Sequence, residues 1–370
     1  MLSNRTLRLL RQRAALYLHL VRAARAGRVR PVVADLFLTT RCNARCSYCY
    51  TDKTITRADE MDTAQWMGVM RGLVAEGSRM FNVMGGEPLL RDDLPQLLAH
   101  AASLDVLCDL NTNCFLLPER KRELVGVSQI FTSLDGRQTA HDLNRGVGSF
   151  NRTMAGIEAA LSEGIPVRIN CTVTRHNVGD VDYLAGLAEE MNLFLTFTPL
   201  IRVRDALRQE ASSLELGDAE TRETFAAIKQ AKRRSRRIMN SDAALDFLIR
   251  YPVPLGTMVM RDATGPEAAY YDAPCPYGRL QHFVVSTGDV FPCHNMWNEP
   301  SFRPLNVLRD GLAPALANAS RLPCRFCWLA NLVEWNEITS PGWLAKGALM
   351  TFRQLLGGGA RAKLPPESGR

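Results

Sequence analysis

Cys42, Cys46 and Cys49 lie in the stretch Thr39-Thr40-Arg41-Cys42-Asn43-Ala44-Arg45-Cys46-Ser47-Tyr48-Cys49-Tyr50 and set three thiols within eight residues. Cysteine thiolates hold iron–sulfur clusters, one per iron in the four-iron type, so a set of three leaves one iron with an open position where a reactant can bind. A zinc site or three unrelated buried thiols are the competing readings of the same spacing. A second group, Cys275, Cys293, Cys324 and Cys327, offers four thiols, two of them in the tight pair Cys324-Arg325-Phe326-Cys327. Four thiolates close either a tetrahedral zinc site or a fully ligated four-iron cluster, and thiol chemistry alone does not choose between them. His294 follows Cys293 directly, and its imidazole, which titrates near neutrality, can act there as a general base or hydrogen-bond a cluster sulfur.

The elements that must position these groups follow from hydrophobic periodicity. Strands are expected at Val32 to Thr39, Phe81 to Met84, Val106 to Asn111, Ile130 to Leu134, Val167 to Val173 and Phe194 to Pro199. Helices are expected between them at Thr63 to Glu76 (capped by Asp62 or Thr63), Asp92 to Ser103, Pro118 to Val125, Phe150 to Glu163 and Val181 to Met191. Strands alternating with helices imply an α/β fold with a parallel sheet, and six such units make an incomplete version of the barrel that eight would close. His282 to Ser286 and Val290 to Cys293 flank Thr287-Gly288-Asp289 and read as a hairpin.

The chain of 370 residues exceeds one ordinary core. The expected division is a basic amphipathic N-terminal helix (1–30), a partial barrel (31–201), a helical connector (202–270), a cysteine-bearing region (271–335), and an amphipathic segment with a disordered tail (336–370). The basic run Lys229, Lys232, Arg233, Arg234, Arg236 and Arg237 reads as a solvated helix face. Of the 45 basic residues, eight arginines fall in residues 1–34 with no acid, so the rest of the chain carries 37 bases against 38 acids and is nearly neutral. Leu7, Leu10, Ala14, Tyr17, Leu18 and Val21 recur at helical spacing within that basic stretch. Such a helix either lies on an anionic membrane surface or packs on the barrel with a solvated basic face. Nucleic acid is a poorer partner, because the bases lack interleaved aromatics. No apolar run reaches the roughly 18 residues needed to span a bilayer, the start does not read as a secretory signal, and ten cysteines grouped as three, four and three singles suit metal ligation in a reducing compartment; the expected location is cytoplasmic, with peripheral membrane contact as the alternative.

The Cys-x3-Cys-x2-Cys pattern resembles that of the radical S-adenosylmethionine (SAM) superfamily, and the resemblance continues through Gly85-Gly86-Glu87-Pro88, Leu110-Asn111-Thr112-Asn113, Ser133-Leu134-Asp135-Gly136 and His141-Asp142-Leu143-Asn144-Arg145-Gly146. The resemblance implies that Cys42, Cys46 and Cys49 hold a 4Fe-4S cluster whose free iron chelates exchangeable SAM. An external one-electron donor such as flavodoxin or ferredoxin then supplies the electron that yields a 5′-deoxyadenosyl radical. It implies further that Tyr48 sits beside adenine, that Gly85 and Gly86 let the backbone approach the ligand, and that Glu87, Ser133 and Arg145 meet the ammonium, ribose and carboxylate. The order Cys275, Gly288, Cys293 resembles the SPASM and twitch extensions of that superfamily, which implies iron–sulfur at the second group. A full SPASM set has seven cysteines, so one auxiliary 4Fe-4S cluster is expected here. In sulfatase-maturing relatives the residue after the corresponding cysteine is an aspartate that accepts a proton, and here it is His294. Asp272 and Glu337 are the next candidate bases, and Cys114 and Cys171 read as core thiols. Three functions follow. The first is oxidative hydrogen abstraction from a peptide or natural-product substrate. The second is the same chemistry on a lipid or polyprenyl-linked substrate, prompted also by Trp343, Leu344, Leu349, Met350, Phe352, Leu355 and Leu356. The third is a non-enzymatic zinc or electron-transfer protein.

Overall fold

A computed structural model describes residues 4–26, 30–51, 56–200, 213–297 and 299–339 of the chain. The expected C-terminal apolar segment and tail therefore lie outside the described residues, as does the start of the connector.

Six parallel strands alternate with helices. They are β1 (Val33–Phe37), β2 (Met80–Met84), β3 (Leu107–Asn111), β4 (Gln129–Ser133), β5 (Val167–Val173) and β6 (Phe194–Pro199), paired in that order. After the N-terminal helix α1 (Asn4–Ala26), the crossovers carry α2 (Thr63–Glu76), α3 (Leu94–Ser103), α4 (Leu117–Arg120), α5 (Gln138–Arg145), α6 (Ser149–Ser162) and α7 (Val181–Glu190). The start of α2 shows why the sequence folds this way: Asp62 accepts from the Gln65 amide while the Gln65 side chain accepts from the Asp62 amide, a reciprocal cap. Its Trp66, Val69, Met70 and Leu73 then point inward, and Gly77 at φ 120° ends it. The helix expected at Pro118 to Val125 is only one turn, α4, followed by a 3-10 turn at Lys121–Glu123. Between them these two turns bury only Leu117, too little to sustain a longer helix.

Strand alternation sorts the two faces of the sheet. Met80, Asn82 and Met84 of β2, Phe131 and Ser133 of β4, and Arg168, Asn170 and Thr172 of β5 are half-buried, while their neighbours are buried. The buried set packs against the helices in one core with Trp66, Leu97, Ile157 and Leu184. The other face lines a polar lumen in which Arg168 donates to Thr196 at 2.7 Å and Asn170 to Thr198 at 3.1 Å.

The connector holds α8 (Asp218–Arg234) and α9 (Asp242–Ile249). Much of its basic run faces acids: Lys229 lies 2.7 Å from Asp246, Arg234 2.8 Å from Asp182 and Arg237 3.3 Å from Glu189. Beyond it come β7 (Val259–Met260), β8 (Gln281–Val284), β9 (Asp289–Phe291), β10 (Leu305–Asn306), α10 (Leu312–Ala319), β11 (Cys324–Phe326) and α11 (Asn331–Thr339). The hairpin forms as β8 and β9, with a wider turn than the pattern predicts and Gly288 at φ 90° in it. It also extends the main sheet, because β8 pairs parallel with β1 and aligns Val33 with Gln281 and Asp35 with Phe283. The full order is β10-β9-β8-β1-β2-β3-β4-β5-β6, an open sheet.

Helix α1 packs on this body, but not through the stripe read from its sequence. Leu9, Leu16, Leu20 and Ala23 are the buried face, set against Val32, Val33, Leu107 and Leu280. Leu7, Ala14 and Leu18 point outward. Both stripes are apolar, and the choice is made by anchors only the fold supplies: Gln12 donates to Asp105 at 3.1 Å and to the Val106 carbonyl at 3.2 Å, and Arg8 to the Ala102 carbonyl at 2.6 Å.

Candidate active site

The C-terminal ends of the strands carry the motifs, as expected for a parallel α/β sheet. The cysteine loop follows β1. Ala44 donates its amide to Cys42 Sγ at 3.4 Å, Arg145 Nη1 lies 3.7 Å from Cys46 Sγ, and Asn113 Nδ2 lies 3.8 Å from Cys42 Sγ. Burial pushes the Cys42 thiol up to about 11 and raises Cys46, so these thiols keep their protons until a cation arrives. Three thiols on one loop, with N–H donors at the sulfurs of Cys42 and Cys46, fit a cluster that carries negative charge on its sulfurs.

Tyr48, Asp135 and Arg145 form a knot beside Cys46. The Tyr48 hydroxyl donates to Asp135, Arg145 Nε donates to the same carboxylate at 2.6 Å, and Arg145 also reaches the Tyr48 oxygen. Arg145 therefore stands at the cluster loop with its guanidinium already paired to a fully buried acid. Ser133 ends β4 on the lumen face.

The Gly-Gly-Glu turn packs closely on the cysteine loop. A Cβ on Gly85 would lie 2.6 Å from the Thr39 carbonyl, and one on Gly86 would lie 2.4 Å from the Arg41 carbonyl. The glycines let this turn lie against the chain's own cysteine-loop backbone, where Gly86 N donates to Thr39 O and Glu87 N to Arg41 O at 2.7 Å each. Glu87 is fully buried and accepts from Leu89 N at 2.9 Å, Thr112 Oγ1 at 2.8 Å and Asn113 N at 2.7 Å. Its carboxylate ties the turns after β2 and β3 together, with Oε1 accepting two of the three donors and Oε2 one.

The second cysteine group converges. Cys275, Cys293, Cys324 and Cys327 line one cavity of about 360 Å³ with Met258, Phe326 and Leu329. The backbone amides of Tyr277, Met296 and Leu329 donate to the sulfurs of Cys275, Cys293 and Cys327, and Asn295 Nδ2 lies 3.6 Å from Cys327 Sγ. The four thiols and the N–H donors around them fit a four-iron cluster.

A larger cavity of about 690 Å³ occupies the lumen, lined by Asp35, Asn82, Asn111, Phe131, Gln281 and His294 among others, and it shares Tyr277 and Leu329 with the four-cysteine cavity. His294 thus faces the lumen while its neighbour Cys293 faces the cysteine cavity. Its Nε2 lies 3.2 Å from Asp35 Oδ2 and its Nδ1 3.4 Å from the Tyr50 hydroxyl, and its ring stacks on Tyr50. Asp35 also accepts from Asn82 at 2.6 Å and Gln281 at 2.7 Å. Sequence reasoning missed Asp35 and Gln281. The available signal was an acid in the middle of the apolar strand Val33-Ala34-Asp35-Leu36-Phe37, since a buried charge persists only where partners hold it. The two alternative bases lie elsewhere: Asp272 is 85% exposed and pairs with Arg325, and Glu337 is exposed. Cys114 and Cys171 are buried in the core, where burial raises both thiols.

Residues 36–188 match the model of the Radical SAM superfamily. The Fe-coproporphyrin III synthase of Methanosarcina barkeri is 34% identical over 41% of this chain, a match spanning 40% of that protein. The PqqA peptide cyclase of Xanthomonas campestris is 29% identical over 71% of this chain and 67% of its own length. Among solved structures, Streptococcus suis SuiB bound to its precursor peptide SuiA superposes with TM-score 0.63 at 16% identity, covering 85% of this chain and 76% of that one. The enzyme anSMEcpe with bound S-adenosylmethionine superposes with TM-score 0.58 at 15% identity, covering 86% and 100%. Residues 36–188 are a radical SAM domain, and the chain is an enzyme.

Proposed function

We propose that this enzyme oxidises or cross-links a peptide or peptide-derived natural product held in the lumen, with the second cysteine group holding an auxiliary 4Fe-4S cluster that accepts the electron. The observation that carries this reading is the shared wall: the lumen and the four-cysteine cavity meet at Tyr277 and Leu329, with His294 and Cys293 adjacent in sequence and facing the two sides. The similarity to a PqqA peptide cyclase over most of the chain supports the peptide assignment.

Cys42, Cys46 and Cys49 would hold the first cluster, which with SAM supplies the one-electron chemistry that removes a hydrogen atom from an unactivated C–H bond. The protein's own residues handle position and protons. Asn82, Asn111 and Gln281 offer hydrogen bonds around the lumen, and Phe131 offers an apolar wall. Asp35 accepts from His294 Nε2–H and so leaves Nδ1 as the proton acceptor, within reach of the Tyr50 hydroxyl, whose burial keeps it protonated. Tyr48, Arg145 and Ser133 remain the proposed neighbours of bound SAM.

Anaerobically reconstituted protein should hold about eight irons and form 5′-deoxyadenosine when reductant and SAM are added. Replacing Cys42, Cys46 and Cys49 together by alanine should leave about four irons and no deoxyadenosine. Zinc at the second group, with only four irons in the unaltered protein, would refute the auxiliary cluster.

A further inference from the structure

The outward face of α1 has no counterpart on the body of the protein. Leu7 is 51% and Leu18 48% exposed, and they stand three helical turns apart on one side with Ala14 between them. The exposed Arg11 and Arg22 flank this strip, and the helix contains no acid. A residue packed inward and one packed outward thus alternate along α1. Its inner leucines join the core beneath β1 and β3, and among the described residues its outer leucines stay about half exposed.

Charge selects the occupant. Six of the eight arginines of residues 1–34 lie on α1, and although Arg8 and Arg11 reach Asp105 the helix keeps a positive excess over a body that is nearly neutral. A second copy docking through the same strip would set arginine against arginine across a two-fold axis. Nucleic acid would gain nothing from exposed leucines. A bilayer surface with anionic headgroups satisfies both features, burying the leucines at the acyl boundary while the arginines meet phosphate and carboxylate groups.

We propose that α1 is a peripheral membrane anchor, lying with Leu7, Ala14 and Leu18 toward an anionic lipid surface. The placement has a functional consequence. Helix α1 meets Val33, Leu107 and Leu280, at the N-terminal ends of β1, β3 and β8, whereas the cysteine loop and the Gly-Gly-Glu turn lie at the C-terminal ends. Anchoring would therefore hold the site facing the aqueous side, open to a soluble substrate, and would not feed a lipid into the lumen.

Vesicle sedimentation of the full-length, cluster-loaded protein tests this, with phosphatidylcholine vesicles alone and with phosphatidylserine added. The expected result is binding to the phosphatidylserine vesicles that weakens with salt, falls about fivefold in Arg22→Gln, and falls about tenfold or more in Leu7→Gln/Leu18→Gln. Iron content, melting temperature and deoxyadenosine formation should be unchanged in both variants, because these side chains touch neither core nor site. Should the double leucine variant melt early, Arg22→Gln carries the test. Failure of the unaltered protein to sediment, equal binding to pure phosphatidylcholine, or a concentration-dependent dimer abolished by the leucine changes would each overturn the proposal.

Discussion

Glu87→Ala separates a ligand contact from a structural clamp. The side chain holds two backbone amides, Leu89 N and Asn113 N, and the Thr112 hydroxyl, all within 2.9 Å. The hydroxyl can turn to another acceptor, but the two amides cannot. Orphaning a buried donor costs about 1–3 kcal/mol, so with the void left by the carboxymethyl group the expected loss is about 3–6 kcal/mol. For a chain of this size that corresponds to a fall of roughly 4–8 °C in apparent melting temperature, measured anaerobically on cluster-loaded protein. The pH dependence carries a definite sign. Burial raises the Glu87 carboxyl to about 7, opposed by its three donors. The folded state therefore holds this proton more tightly than the unfolded chain, and the group's contribution falls as pH rises from about 4.5 to 7, by on the order of 3 kcal/mol in full. Glu87→Gln, which cannot ionise, should lack that fall, so its deficit relative to the unaltered protein should narrow between pH 5 and pH 8. An alanine variant that melts within about 2 °C of the unaltered protein, yet binds SAM tenfold or more weakly, would refute the clamp and return Glu87 to the ligand.

Two further outcomes follow from the same geometry. Gly86→Ala places a methyl 2.4 Å from the Arg41 carbonyl and should displace the cysteine loop, lowering iron content toward the auxiliary complement of about four while the remaining iron stays bound; full iron content would show that the turn yields without cost. Asp35→Asn removes the negative charge beside His294 Nε2 and turns one of the two accepting oxygens into an N–H donor, so deoxyadenosine should still form while oxidised product per deoxyadenosine drops, and an unchanged ratio would remove Asp35 and His294 from proton transfer.

Much of the fold was legible because its signals are local. The six strands appear within a few residues of their apolar runs, and α2 begins at the cap that Asp62 and Gln65 specify. The three cysteines of the first loop are legible for the same reason, since eight consecutive residues cannot be far apart. The shortness of α4 was hidden because helix length there depends on how much apolar surface the neighbours accept.

Tertiary structure decided the rest. Cys275 and Cys327 are separated by dozens of residues, and their shared cavity exists only because β7 and β11 pair and the β8–β9 hairpin brings Cys293 alongside. Asp35 meets His294 across 259 positions because β8 joins β1 in parallel, a register that no periodicity encodes. Glu87 carries the motif's expected acid, yet whether that acid faces ligand or backbone depends on the turn after β3. In α1 both apolar stripes are written in the sequence, and only the anchors at Ala102, Asp105 and Val106 settle which one turns inward. Composition and spacing determined which chemistry the chain can hold; long-range strand pairing determined which residues stand around it, because the free energy of that pairing resides in contacts between segments that are remote in sequence.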